Sequence, residues 1–292
     1  CLYSVYTGGL AGRIAGGRPQ YLSELDTLKE NVKMAHEKGV KYEIALNAPC
    51  GLEPKSNTVW WKDISDYLKL LEACGVDYII ASHPFLMKQV KEKTHMKVVA
   101  STICEITTVR SALYYEEIGA DVIIPGMNVN YDLKMLESMR SKLKNAGLRI
   151  MVNEHCLGDC PWRRFHHNHY AHSNEERDYH INCKTLFFTK PYLFLTNNFI
   201  RPEDIKNYLD ITHDFKIVGR LVPLPDLLLR VKAYSEGTYD GNSIELVDSD
   251  LAKFFSISNR KLSGLFEKKS QCDRLCDDCR YCIDLCDRIL ER

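Results

Sequence analysis

Short apolar runs alternate with amphipathic stretches along the whole chain. Eight runs carry the β-branched and aromatic content of strands, at residues 2–7, 42–47, 76–81, 97–102, 122–125, 148–153, 192–196 and 215–218. Between them, apolar residues return every three or four positions over 25–37, 60–73, 107–118, 132–145 and 224–236, which predicts helices. Four of the helix-to-strand junctions carry the same punctuation: Lys38-Gly39-Val40, Cys74-Gly75-Val76, Ile118-Gly119-Ala120 and Ala146-Gly147-Leu148. Glycine accepts the left-handed conformation that closes a helix, so its return at one place in each unit predicts a single repeating βα architecture.

Eight strands in this grammar predict an α/β fold, a (β/α)8 TIM-type barrel over residues 1–236. The alternative is an open doubly wound sheet, but no glycine-rich dinucleotide fingerprint follows any strand. Past the turn signal Tyr239-Asp240-Gly241-Asn242, residues 237–292 have too little apolar content for a core of their own. They are expected to form a cysteine-rich appendage packed on the barrel.

Barrels of this kind carry their chemistry at the C-terminal ends of the strands. Those ends read Tyr6, Asn47 and Cys50, Ser82 and His83, Ser101 to Cys104, Asn128 and Asn130, Asn153 and Glu154, Asn197 and Asn198, and Arg220. Such a set can orient a polar ligand, although roughly half of these residues are equally suited to capping helices and forming turns. Glu154 is the candidate acid or base, Arg220 the candidate anion holder, and His166 a candidate proton carrier. Tyr6, Asn47, Asn128 and Asn153 are candidate substrate contacts. Arg163, Arg164 and His167 join them, because the stretch Arg163-Arg164-Phe165-His166-His167-Asn168-His169 offers planar cations, rings and imidazoles to a carboxylate, phosphate or base.

Charge narrows the partners. Lys plus Arg and Asp plus Glu number 39 each, so no global field draws in nucleic acid or an anionic membrane surface. No run of 18 or more apolar residues occurs, and no membrane span is expected. The chain opens on a sequence that already reads as a strand, so a short preceding segment is expected to be missing.

The twelve cysteines matter through their distribution. Cys156, Cys160 and Cys183 follow the sixth predicted strand, and Cys272, Cys276, Cys279, Cys282 and Cys286 crowd the end. Such spacing suits thiolates converging on zinc or an iron-sulfur cluster in a reducing, cytoplasmic setting better than scattered disulfides. The fourth ligand of the central group is open between Cys50, Cys104, a terminal cysteine and an exchangeable position. In the terminal group, the last four cysteines have the ferredoxin spacing C-x2-C-x2-C-x3-C, with Asp287 where that motif has proline. The first four are an equally compact set.

The segment from Val152 to Asn168, with Cys156-Leu-Gly-Asp-Cys160-Pro-Trp-Arg-Arg, resembles the peptidase U32 family of collagenase-like proteins. The likeness extends to Gly16-Gly17-Arg18-Pro19, Leu46-Asn47-Ala48-Pro49-Cys50, Glu117-Ile118-Gly119-Ala120-Asp121, Ile200-Arg201-Pro202-Glu203-Asp204, Lys216-Ile217-Val218-Gly219-Arg220 and the terminal cysteines. The resemblance implies a barrel and a [4Fe-4S] cluster, one or two per chain, with zinc the alternative at the terminal group. It implies activity like that of relatives that hydroxylate ubiquinone precursors or RNA bases without oxygen, in anaerobic metabolism. Cys156, Cys160 and Cys183 match the family's central cysteines; Cys272, Cys276, Cys279 and Cys282 match a terminal group, and Cys286 is an addition.

The expected function is therefore an iron-sulfur hydroxylase or related redox-modifying enzyme acting on a small molecule, a peptide or an RNA base. An electron-donor protein or a U32 partner would complete it, with no membrane. A peptidase or peptide-binding protein with structural cysteines is the alternative, although the chain has neither H-E-x-x-H nor G-x-S-x-G. A non-catalytic electron carrier is the third reading.

Overall fold

The computed structural model describes residues 2–9, 24–49, 58–171, 180–219 and 222–291. The chain divides into two compact units, the first comprising 1–126, 139–148 and 162–176, the second 127–138, 149–161 and 177–292.

The first unit is an α/β layer built on one parallel sheet. Its strands are β1 (Ser4–Gly8), β2 (Lys41–Leu46), β3 (Tyr78–Ala81), β4 (Lys97–Ala100), β5 (Val122–Ile123) and β6 (Gly147–Leu148), paired in that order. Every pairing is parallel, with Thr7 opposite Ile44, Ile44 opposite Ile79 and Ile79 opposite Val98. Interior strands such as Tyr78–Ala81 are buried at every position, which is why they read as unbroken apolar runs and not as alternation. The helix Leu25–Glu37 has the predicted bounds and turns Leu28 and Val32 inward. In the helix Pro84–Lys93, Pro84 occupies the first turn and His83 Nδ1 accepts from the Phe85 amide at 3.2 Å. His83 is thus a cap, as the less specific reading of the strand ends allowed.

The glycine punctuation holds at Gly39, Gly75 and Gly119, all at positive φ. At Gly119 (φ +115°) an added Cβ would also stand 2.8 Å from Lys91 Cγ, so backbone and space both exclude a side chain. Gly147 departs from the prediction: it is the first residue of β6, without positive φ. Its helix, Leu133–Lys142, ends earlier, and Glu116 Oε1 accepts from the Lys144, Asn145 and Ala146 amides at 2.9, 2.7 and 2.8 Å. The carboxylate closes that junction in place of a glycine cap.

Two predicted strands are corrected. Residues 192–196 contain a helix, Leu193–Thr196, in which Phe194 and Leu195 are buried and Thr196 Oγ1 donates to the Leu193 carbonyl at 2.9 Å. A short apolar run does not distinguish a buried strand from a buried helical turn, and Pro191 begins the turn that settles it here. The run 148–153 is cut at Arg149: Leu148 ends β6, while β7 (Ile150–Met151) pairs in parallel with β8 (Phe215–Lys216) in a separate sheet. Arg149 Nε donates to both oxygens of Asp214 at 2.9 Å, which anchors that second pair. The described strands thus give an α/β fold with a six-strand parallel sheet, consistent with a TIM-like barrel; a closed ring of eight is not among their pairings.

In the second unit, residues after 237 share one apolar core with earlier segments: Leu157, Phe194 and Phe199 pack with Leu246, Ile257 and Leu285. A short antiparallel pair, β9 (Ser256–Ile257) with β10 (Leu290–Glu291), closes the chain end. Polar staples complete the unit. Arg201 meets Asp204 through two 2.8 Å bonds, and buried Arg230 donates to Glu245 O, Val218 O and Ser249 Oγ. Among the described residues, no helix is long and apolar enough to cross a membrane.

Candidate functional site

Both cysteine groups lie in the second unit. Cys156 and Cys160 sit on the loop leaving β7, and Cys183 sits on the helix His180–Thr189. The loop is drawn flat against neighbouring main chain: an added Cβ at Gly158 would lie 2.4 Å from the Thr196 carbonyl oxygen. Asp159, next along, takes φ +50°. The result brings the three thiols together. A hydrogen bond with Cys160, burial, and the nearby Cys160 and Cys156 thiols hold the Cys183 thiol far above its ordinary range. Thiols so placed resist ionising together unless a cation joins them.

In the terminal group, Cys272, Cys276 and Cys279 lie on the turn between the helices Leu265–Ser270 and Tyr281–Ile289, and Cys282 lies on the second. Burial first, then Cys272 and Cys279 together with Asp277 and Asp159, raises Cys276. Burial likewise raises Cys282, against Lys269, with Cys272, Cys276 and Cys279 adding to the rise. Those four thiols feel one another. Cys286, the fifth predicted ligand of this group, is 1% exposed in the apolar core beside Leu285 and Ile289, a core against which Cys282 also packs. One helical turn beyond Cys282, it lies on the same face of that helix.

The two loops are clasped to each other. Arg274 Nη1 meets Asp159 Oδ1 at 2.5 Å, and Nη2 donates to the Asn128 carbonyl. Both clasp residues are non-glycine at positive φ, Asp159 at +50° and Arg274 at +64°. Beside them stands Lys269, whose Nζ donates to the Asn197 carbonyl and lies 4.0 Å from the centre of the Tyr131 ring. Burial pushes Lys269 down to about 7, against the upward pull of Cys282 and Cys272.

In donor type these groups fit zinc or an iron-sulfur cluster, both of which take soft thiolates. Among the described residues, however, no three His, Cys, Asp or Glu side chains meet the geometry for holding a metal ion as they stand. The thiols neighbour one another without being closed around a point. Cys50 lies outside the described residues. Cys104 belongs to the first unit, where its thiol faces the Ser82 carbonyl at 3.5 Å and burial pushes it up to about 12.

The remaining predicted residues are distributed between the units. Glu154 is half-buried beside His155, at 3.5 Å. Asn153, 0% exposed, is a main-chain staple: its amide donates to Val218 O and Leu246 O at 2.9 Å and accepts from Val218 N at 2.7 Å. All of this is turned to main chain, which leaves little for a substrate. Asn128 Oδ1 accepts from Asn198 at 3.3 Å. In the first unit, Tyr6 is half-buried on β1, and Asn47 donates to Ser101 Oγ at 3.1 Å. Arg163 and Arg164 flank Glu105, at 3.9 Å for Arg163 and in direct hydrogen bond for Arg164, on the helix Arg163–Ala171. His166 and His167 stack on that helix with ring centres 6.0 Å apart. Arg220 lies outside the described residues.

The model of peptidase family U32 matches residues 4–273. The chain belongs to that family. This U32 protein is also 30% identical over 301 residues to an uncharacterized protease of Methanocaldococcus jannaschii, covering 99% of the chain and 89% of the relative. The structure of the U32 peptidase Mk0906 is similar over 60% of this chain and 69% of that one, at 21% identity and a TM-score of 0.50, a likeness of fold.

The sequence reading passed over Lys269, Arg274 and Asp159. A lysine in Glu267-Lys268-Lys269-Ser270 has the look of a solvated helix end; only its position three residues before Cys272 hinted otherwise.

Proposed function

We propose that this U32 protein is an iron-sulfur enzyme that carries out oxygen-independent hydroxylation, or a related redox modification, of an organic substrate, on a TIM-type barrel in a reducing cytoplasm. The observation that carries the reading is the meeting of the free thiols of Cys156, Cys160 and Cys183, where Cys183 is hydrogen-bonded to Cys160 and Cys156 lies close enough to act on it. Neighbouring thiols of this kind lose their protons readily only to a metal. The central trio would hold one [4Fe-4S] cluster, and Cys272, Cys276, Cys279 and Cys282 a second cluster or zinc. A bound cluster would supply single electrons.

The chain's own part is to orient and to handle protons. Glu154, half-buried two residues before Cys156, is the proposed acid or base, with His166 and Arg220 as further catalytic candidates. Arg163, Arg164, His167, Tyr6, Asn47 and Asn128 are the proposed contacts for a small-molecule, peptide or RNA-base substrate. Electrons would come from a donor protein. Anaerobic purification tests the reading: brown protein with iron and sulfide, and loss of that iron in Cys156→Ser, are expected. Colourless protein with unchanged metal content in the variant would overturn it.

The protease name of the Methanocaldococcus relative favours a second reading, a peptidase with structural cysteines. Peptide cleavage that survives removal of all metal would select it over the first.

A further inference from the structure

One polar side chain of the second unit is buried without a partner for its donor. Asn197 ends the helix Leu193–Thr196 and is 1% exposed, yet among the described residues its Nδ2 finds no hydrogen-bond acceptor. Turning the amide over does not help, because the Phe199 N–H donates to Oδ1 at 3.0 Å and so fixes which end is the oxygen. A buried amide donor left unpaired bears its full desolvation cost, and the position asks for an acceptor.

A cation stands on the same residue. Lys269 Nζ donates to the Asn197 carbonyl and lies 4.0 Å from the centre of the Tyr131 ring. That ring is held in turn: Tyr131 Oη donates to the Phe199 carbonyl, and the ring packs at 5.8 Å against Phe266 of the lysine's own helix, Leu265–Ser270. Asn197, Phe199, Tyr131 and Lys269 thus close a ring of direct contacts. Among the described residues no carboxylate pairs with the ammonium, and a carbonyl and a ring face offer it only partial negative charge. Burial accordingly pushes it down to about 7. Two donors, one of them charged, meet at Asn197 with nothing anionic to receive them, and a carboxylate has an oxygen for each.

We propose that Asn197 Nδ2 and Lys269 Nζ together bind the carboxylate of a small organic acid beside the Tyr131 ring. Of the four residues Lys269 alone is more than slightly exposed, so the ligand enters where its side chain lies. The ammonium leaves the Asn197 carbonyl for the incoming carboxylate, exchanging a neutral acceptor for a charged one, and the stronger bond drives the exchange. The departure of the lysine uncovers Asn197, whose amide takes the second oxygen. The site requires no metal at either cysteine group.

The test is equilibrium dialysis of radiolabelled acetate against the full chain at about pH 6, where the ammonium is charged, with inorganic phosphate as the competing oxyanion. Wild type should bind acetate saturably. Lys269→Met and Asn197→Asp should each weaken binding about tenfold or more, the worth of one hydrogen bond to a charged group, whereas Lys269→Arg should retain most of it. Asn197→Asp also gives a readout without ligand. It keeps an oxygen for the Phe199 N–H and sets a carboxylate beside the ammonium, so it should melt at or above the wild-type temperature, and Lys269→Met in the same chain should remove that gain. At a site with no call for an anion, the buried carboxylate would instead lower Tm steeply. Absence of saturable acetate binding in wild type, unchanged affinity in folded Lys269→Met and Asn197→Asp, or a steep fall of Tm in Asn197→Asp would each overturn the proposal. So would phosphate bound more tightly than acetate, which would make the ligand group a phosphoryl. If Lys269→Met fails to fold, Asn197→Asp and Lys269→Arg carry the measurement.

Discussion

The terminal cysteines admit two overlapping quartets, and substitution at the two ends separates them. Cys276, Cys279 and Cys282 are common to both; Cys272 completes one and Cys286 the other. Cys286 is 1% exposed among Leu285, Ile289 and other apolar side chains, whereas the thiols acting on Cys282 are Cys272, Cys276 and Cys279. Cys286→Ala therefore removes one buried sulfur from a packed core, comparable with deleting a methyl group, at about 1 kcal/mol. In a chain of this size that lowers Tm by roughly 2–4 °C. Its metal content should equal that of wild type.

Under the proposed function Cys282→Ala and Cys272→Ala should behave differently, because each removes a proposed ligand. With free metal a hundredfold above its Kd, the lost site withdraws about 2.7 kcal/mol of linkage stabilisation. At the same conversion that amounts to roughly 5–11 °C, and it should disappear when the chelated forms are compared. The assay is metal per chain by atomic emission alongside thermal unfolding with and without chelator. Metal loss in Cys286→Ala equal to that in Cys282→Ala, with full retention in Cys272→Ala, would select the ferredoxin-spaced quartet and refute the placement argued here.

Three further outcomes follow from single side chains. Asn153→Ala strands three main-chain groups, the Leu246 carbonyl buried and the two of Val218 half-buried, and should cost about 2–4 kcal/mol in urea unfolding; near-native stability with a raised KM would restore it as a substrate contact. Burial would raise the Glu116 carboxyl, but bonds from the Ala146, Asn145 and Lys144 amides hold it below its ordinary 4.5. Its contribution is therefore fully present above pH 4.5 and lost as pH falls through the lower folded value, so unfolding free energy in Glu116→Gln should fall less steeply than wild type below that pH. In metal-free protein at pH 8, iodoacetamide should modify exposed Cys272 and Cys276 long before Cys104, whose thiol at about 12 leaves roughly one thiolate in ten thousand. Equal labelling by mass spectrometry would refute that burial.

What was legible in the sequence follows the range of the forces involved. The helix Leu25–Glu37, the strand Tyr78–Ala81 within the predicted run 76–81, and the turn at Gly119 are set by local periodicity and a single backbone requirement, and all three elements appear where predicted. The errors lie where a local pattern has two solutions. Leu193–Thr196 is an apolar run that buries equally well as strand or helix. Leu148 to Met151 reads as one strand until Arg149 finds Asp214, a partner 65 residues away, and the chain changes sheets.

The same division governs the site. Spacing alone marked the cysteines as groups, because i to i+3 and i to i+4 intervals bring thiols to one side of a turn or helix end. Spacing could not rank Cys272 against Cys286, since each stands four residues beyond the three cysteines common to both quartets. Nor could it mark Lys269 and Arg274, which have no motif. Arg274 acquires meaning only when a fold-back of 115 residues brings Asp159 to it, and Lys269 only when Tyr131 and Asn197 close around its ammonium. Candidate ligands are marked by local sequence, whereas the side chains that fix their loops, such as Arg274 on Asp159, are recruited from distant segments.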